Sequence, residues 1–436
     1  MRDRWFHELN RTHWLILAVA SLGWLFDTMD QQLFNLARRP AVSELLAARS
    51  GTAPSAGTIA EFAGYSTTIF MIGWALGGVF FGVLGDRVGR VKTMIVTILC
   101  YSLFTGLSAF SVSVWDFSAY RFITGLGVGG QFAVGVALVA ESVSDRARPF
   151  ALGWLQAAST WGNMLAAIIG IALGRLEESG VIASAWRTMF VIGALPAFLS
   201  VLVMRRLKEP EKWQRAATAT VQLGSMTELF SDPRWRRNAI VGMLLAFAGV
   251  VGLWGIGNFS VDLLRTMLDR TRLNAGQKTF WTSMTLLFQN FGGFLGIYGF
   301  THLTHRLGRR TAFAITFTAA MGITAFTFWN LDSFSDIFWM IPLMGAAQLA
   351  LFGGYAIYLP ELFPTRLRST GTSLCYNVGR FVAALGPLAL GLLTSRVFAS
   401  QPEPMRYAGV TMSLVFLIGL AAVPFAPETR GKPLPE

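Results

Sequence analysis

Twelve apolar runs, each about 19 to 28 residues long, constrain this chain more than any other feature it carries. About 20 helical residues cross the hydrocarbon core of a bilayer. Lipid offers the backbone no hydrogen-bond partners, so a spanning segment must satisfy its own. The runs fall at about 14–36, 58–84, 92–110, 115–140, 147–174 and 184–204, then at about 238–261, 279–303, 311–330, 335–359, 369–395 and 405–426. Between the sets lies one long hydrophilic stretch, with Arg205, Arg206, Lys208, Lys212, Arg215, Arg234, Arg236 and Arg237. The expected fold is an all-α membrane protein of twelve transmembrane helices in two pseudo-symmetric six-helix bundles. Residues 1–204 make the N-terminal half, 205–237 a cytoplasmic linker and 238–436 the C-terminal half.

Composition removes the alternatives. Hydrophobic residues are 53% of the chain and charged residues 14%, against roughly 25% charge in a soluble domain. The net charge of +12 is not a nucleic-acid footprint, because no basic stripe with interleaved aromatics accompanies it. Instead the charge is sorted by side. With both termini, the linker and alternate loops on one side, that side holds about 23 of the 36 Lys and Arg and the other about 11, which places the termini in the cytoplasm of an inner membrane. The loop with Arg265, Arg270, Arg272 and Lys278 runs against this bias without reversing it. The N-terminal apolar run is too long for a signal peptide and contains two Asp, so it is the first span. Cys100 and Cys375 fall inside spans, and His7, His13, His302 and His305 show no ligand spacing. No metal, cofactor or disulfide is expected.

An internal repeat ties the halves together. Asp86-Arg87-Val88-Gly89-Arg90 recurs 219 positions later as His305-Arg306-Leu307-Gly308-Arg309. Glu141 with Asp145-Arg146-Ala147-Arg148 recurs 220 positions later as Glu361 with Thr365-Arg366-Leu367-Arg368. Parallel repeats of this kind build one major class of transporter.

At these motifs the chain resembles a known family. Gly82-Val83-Leu84-Gly85-Asp86-Arg87-Val88-Gly89-Arg90 is similar to the signature loop between helices 2 and 3 of the major facilitator superfamily. Arg121-Phe122-Ile123-Thr124-Gly125-Leu126-Gly127-Val128-Gly129-Gly130 resembles its helix-4 motif, and Pro360-Glu361-Leu362-Phe363-Pro364-Thr365-Arg366 its helix 10–11 loop. Asp27-Thr28-Met29-Asp30 is similar to the D-G-x-D motif of aromatic-acid:proton symporters, with Thr28 where that branch usually has Gly. Gly379-Arg380 and Gly386-Pro387 resemble the same branch, while several other motifs are shared with sugar porters. The resemblance implies that Asp86, Arg90, Glu141 and Arg148 clamp the cytoplasmic side and favour the outward-facing state, with Glu361 and Arg366 doing the matching work in the second half.

Four charges inside spans carry the expected chemistry. Asp27 and Asp30, at i and i+3, share a helical face deep in the first span. A carboxylate there costs about 2.5–3.5 kcal/mol on insertion scales. Low dielectric and a like-charged neighbour both favour the protonated form, as a proton-coupling site requires. Arg121 lies roughly 9 Å below the outer boundary and the two Asp roughly 9 to 14 Å below it, from the 1.5 Å helical rise, so the three are expected to meet. A static ion pair is the plainer alternative. Arg380, near the middle of span 11, has no acid in its own span. It suits the carboxylate of an anionic substrate, or else pairs across the cavity or with backbone carbonyls. Asn163, Gln289, Asn377, Gln131, Gln156 and Trp254 are further candidates for substrate contact, and Asn258, Asn290 and Gln348 are polar at similar depth; any of the amides could equally join helices.

The expected function is secondary active transport: proton-coupled symport of a small organic anion, aromatic or another monocarboxylate, by alternating access. A sugar or polyol porter and a proton-driven exporter share the fold. A membrane enzyme would need a nucleophile or metal cluster that the sequence does not offer, and a non-transporting sensor is the other alternative outside transport. The expected partners are a small solute, protons and lipid, with no nucleic acid and a monomeric chain.

Overall fold

The computed structural model describes residues 5–219, 222–254, 275–383, 389 and 392–436. Asn258, Arg265, Arg270, Arg272, Gly386 and Pro387 lie outside these residues, as does the side chain of Lys278.

Local chemistry sets where the first helices begin and end. Helix α1, Arg11–Ser50, starts where the Asn10 side chain accepts the His13 N–H, and it stops at Gly51, whose φ of 70° suits glycine. Its 40 residues carry it well beyond the expected end at residue 36, through Pro40. Helices α2, Ala56–Arg87, and α4, Val114–Ser142, are capped by Ser55 and by a Ser113–Asp116 capping box. Between them lies α3, Arg90–Ser108, and after them α5, Arg148–Glu178. The sixth span is broken into α6, Ala185–Gly193, and α7, Ala197–Arg206, around Pro196.

Two short helices, α8 (Glu211–Thr218) and α9 (Met226–Ser231), follow. The second set then comprises α10 (Pro233–Gly252), α11 (Ala275–Leu307), α12 (Arg309–Asn330), α13 (Ile337–Tyr358) and α14 (Arg368–Ala383). The last span is again broken, into α15 (Pro404–Ser413) and α16 (Phe416–Ala422). Its break at Leu414 and Val415 falls 219 positions after the one at Leu195 and Pro196. Among the described residues, seven helical stretches are long and apolar enough to cross a membrane by length and composition, one of them running through both α15 and α16. The twelve spans form two six-helix bundles.

Glycines let the helices close up in the same way in both bundles. A Cβ on Gly73 or Gly77 would lie 2.2 and 2.0 Å from backbone oxygens of Phe122 and Leu126 in α4. On Gly292 or Gly296, 219 positions later, it would lie 1.9 and 2.0 Å from those of Pro342 and Ala346 in α13. The bundles then meet along two seams. In α2–α14, Gly78, Gly82 and Gly85 receive Asn377, Ser373 and Ser369; in α5–α11, Gly153 receives Thr301.

Candidate functional site

A cavity of about 80 Å³ lies where the bundles meet, room for on the order of a few waters. From the first bundle it is lined by Trp24, Thr28, Gln31 and Gln32 of α1, Trp74 of α2, and Gln156, Ser159 and Asn163 of α5. From the second come Leu253 and Trp254, Leu286, Gln289 and Asn290 of α11, Leu349 and Phe352 of α13, and Tyr376 and Arg380 of α14.

Arg380 is built into this wall. Its Nη1 donates to the Tyr376 carbonyl at 2.8 Å and to Asn377 Oδ1 at 3.1 Å. The guanidinium lies 4.0 Å from the Trp74 ring and 4.4 Å from the Tyr376 ring, and Tyr376 is stacked at 3.8 Å on Phe132. Its Nε has no partner, and it forms no ion pair among the described residues. Trp254 meets Trp74 edge-on at 5.5 Å. Arg380 is therefore clamped between aromatic plates from both bundles, with an unused donor.

The amides divide into two groups. Gln156, Asn163, Gln289 and Asn290 line the cavity. Asn163 Nδ2 donates to Asn290 Oδ1 at 2.8 Å across the seam, and Gln156 Oε1 has no partner. Gln131, Gln348 and Asn377 are buried away from it. Gln131 accepts from Thr97 at 2.7 Å, Gln348 donates to Thr324 at 2.9 Å, and Asn377 bonds Ser373 and Gly129 while holding Arg380.

The expected cluster of Asp27, Asp30 and Arg121 is split by the structure. Asp30 Oδ2 lies 3.6 Å from Arg121 Nη1, and its Oδ1 accepts from Thr105 at 2.6 Å. Arg121 also donates to Ser108 at 3.1 Å, Thr105 at 2.9 Å and Thr124 at 3.0 Å, beneath the Phe190 ring at 4.7 Å. This pair is sealed inside the first bundle and does not line the cavity. Asp27 is equally buried but makes no ion pair among the described residues. Gln31 donates to it at 3.3 Å, and its other oxygen has no partner. The charges that act on it are Asp30 and, across the bundle interface, Arg380.

At the face that carries both termini, buried charges join the bundles. Arg90 bridges Asp86 and Glu141, each at 2.7 Å, and donates to the Thr365 carbonyl at 2.8 Å. Asp86 accepts the N–H groups of Ser369 and Thr370, at 3.1 and 2.8 Å, at the start of α14. Glu141 also receives Arg368 at 2.8 Å. Arg148 bonds Asp145 and the Ala140 carbonyl rather than Glu141. In the second bundle Glu361 takes Arg309 at 2.8 Å, while Arg366 reaches Glu228 at 2.8 Å. His305 stands where the first copy has Asp86, and its ring lies 5.1 Å from Phe150.

Arg368, Arg309, Glu209 and Glu428 belong to this network, although the motifs did not single them out. Glu209 accepts the N–H groups of Arg90, Val91 and Lys92, at 2.7 to 3.2 Å, and so caps α3 behind Gly89. Glu428, 219 positions later, caps α12 behind Gly308 through Arg309 and Arg310. Partial burial opposes the charge of Glu428, but the N–H groups of Arg309, Arg430 and Arg310 outweigh it and hold the carboxyl below its ordinary range. The 219-residue offset could have revealed the two caps; the aromatic plates around Arg380 left no such local signal.

Comparison with known proteins agrees with this architecture. The family model described as Major Facilitator Superfamily matches residues 21–387. The chain is 28% identical over 436 residues to a putative metabolite transport protein of Haemophilus influenzae, covering 98% of this chain and 99% of that one. It is 30% identical over 342 residues to the cis,cis-muconate transport protein of Acinetobacter baylyi, covering 76% and 78%. Among solved structures, the proton:xylose symporter XylE superposes with a TM-score of 0.77 over 97% of both chains at 17% identity, a likeness of fold. The chain belongs to the major facilitator superfamily, and it is a membrane transporter rather than an enzyme.

Proposed function

We propose that the protein is a proton-coupled symporter for a small organic anion, an aromatic or other monocarboxylate, working by alternating access. The observation that carries this reading is Arg380: a cavity-lining guanidinium between Trp74 and Tyr376, with its Nε unused. A carboxylate would satisfy it by charge-assisted bonds, and the flanking rings would receive an unsaturated or aromatic body. The name of the muconate relative supports an organic acid. Asp27 is our proton carrier, because it is buried, half-satisfied and within the field of Arg380. Protonating it would release Arg380 to the solute, or the reverse. Asp30 and Arg121 hold the first bundle in register.

In this reading residues 1–204 and 238–436 rock as two halves about the linker, in an inner membrane with both termini cytoplasmic. The charge network of Asp86, Arg90, Glu141 and Arg368 closes the cytoplasmic side. The test is uptake in proteoliposomes of labelled benzoate, muconate and xylose, with and without an inward proton gradient. Gradient-dependent accumulation of the carboxylates is expected; xylose uptake with no carboxylate uptake would overturn the reading. The amides at Gln156, Asn163, Gln289 and Asn290 favour a second reading, a hydroxyl-rich solute, and the xylose arm measures it directly.

A further inference from the structure

A second cavity, of about 950 Å³, opens on the face carrying the termini and shares no lining residue with the first. Its walls come from the start of α10, the start of α12 and the tail beyond α16. Four cations line it, Arg234, Arg237, Arg310 and Lys432, against two carboxylates, Glu361 and Glu428. Both carboxylates are already engaged. Glu361 takes Arg309 at 2.8 Å and the Thr429 hydroxyl at 2.5 Å, and Glu428 takes the N–H groups of Arg309, Arg310 and Arg430.

The cations are under-used by comparison. None of the four forms an ion pair among the described residues. Arg237 donates to the Phe425 carbonyl at 3.3 Å and Arg310 to that of Pro424 at 2.5 Å, while Arg234 lies 4.5 Å over the Trp235 ring. A guanidinium has five donors, so most remain unassigned. Next to the lining residues in the chain, apolar side chains face outward. Phe425 is 60% exposed, and Ile240 and Leu244, one and two turns deeper on α10, are 45% and 40% exposed.

We propose that this cavity binds the phosphate-bearing headgroup of an anionic phospholipid. A phosphodiester presents oxygens that guanidinium groups take in bidentate pairs, and basic pockets between helices at a membrane face suit such headgroups. Inorganic phosphate shares that chemistry. The lipid source is favoured by Phe425, between the lining Pro424 and Ala426, and by Ile240 and Leu244, which follow the lining Arg237 along α10; all three are exposed and would meet the acyl chains. Occupancy also reaches the closed face, because the tail that walls the cavity accepts Arg368 Nη2 at the Pro435 carbonyl, 3.0 Å away.

The test counts bound molecules on the full-length protein by native mass spectrometry. Its arms are phosphatidylglycerol, phosphatidylcholine, glycerol 3-phosphate and inorganic phosphate. Retention of phosphatidylglycerol but not phosphatidylcholine is expected. The triple variant Arg234→Gln/Arg237→Gln/Arg310→Gln should weaken it roughly hundredfold, at about fivefold per cation. Arg205→Gln/Arg206→Gln, at exposed positions at the end of α7, should bind as the unaltered protein does. If the triple variant fails to fold, Lys432→Gln alone carries the test, with about a fivefold loss. Equal retention by variant and unaltered protein, or of both lipids, would overturn the site. Displacement of phosphatidylglycerol by millimolar phosphate or glycerol 3-phosphate would overturn the lipid assignment.

Discussion

At the scale of single residues, the two buried aspartates of α1 make opposite predictions. Asp30 is locked to Arg121 and Thr105, so Asp30→Asn leaves a buried guanidinium without its counter-charge. Breaking such a pair destabilises by about 3–5 kcal/mol, and a fall in the melting temperature of the purified protein is expected. Asp27 has no such partner, so Asp27→Asn should leave melting nearly unchanged while uptake stops responding to the proton gradient. Retention of full gradient-driven uptake by Asp27→Asn would remove the coupling role. For Arg380→Lys, loss of planar donors and ring stacking predicts roughly ten- to hundredfold weaker solute binding, from the 1.5–3 kcal/mol of bonds to charged groups. Unchanged affinity would sink the anion assignment. The sequence made these three charges conspicuous because lipid makes an unneeded charge expensive. It could not show that Trp74 would stack on Arg380, since that contact joins residues 306 positions apart. Nor could depth along a helix tell which side Asp30 and Asp27 face, and that separates the cluster expected of them.

Helix starts and close crossings dominate at the scale of elements. Gly89 and Gly308, with φ of 122° and 89°, turn the chain so that Glu209 and Glu428 can cap α3 and α12. Glu428→Gln should lower the melting temperature by the equivalent of about 0.5–2 kcal/mol, the usual range for a lost cap. The acid dependence follows from its sign. A glutamate held below its ordinary value near 4.5 contributes stability that is complete above that value and lost as pH falls through the folded one. Thermal melts of the parent should therefore drop more steeply below about pH 4.5 than those of Glu428→Gln; parallel curves would refute the cap. The span pattern was legible because twenty apolar residues have one solution in lipid. The caps were harder to see, because an acidic residue in a polar loop has many uses until the helix it faces is known.

For the whole molecule, the proposed closure rests on a few buried ions. Glu141 holds Arg90 and Arg368 at once, so Glu141→Gln leaves two buried cations short of their shared partner. The closed face should loosen, seen as faster labelling of cysteines placed along α14, with the turnover rate changed far more than the solute KM. A shift in KM at constant turnover would contradict a closing role.

The two seams are not mirror images, although the motifs that made them repeat at nearly one offset. Where α2 meets α14, a carboxylate grips the opening turn of a helix; where α5 meets α11, the corresponding position is His305 beside a phenyl ring. From that difference one seam is expected to act as a latch, either fastened or released, and the other as a hinge that yields by degrees. Spin labels across both seams can separate them. In Asp86→Asn the α2–α14 distance should broaden markedly while the α5–α11 distance stays near that of the parent, and equal broadening of both would mean that the halves part symmetrically after all.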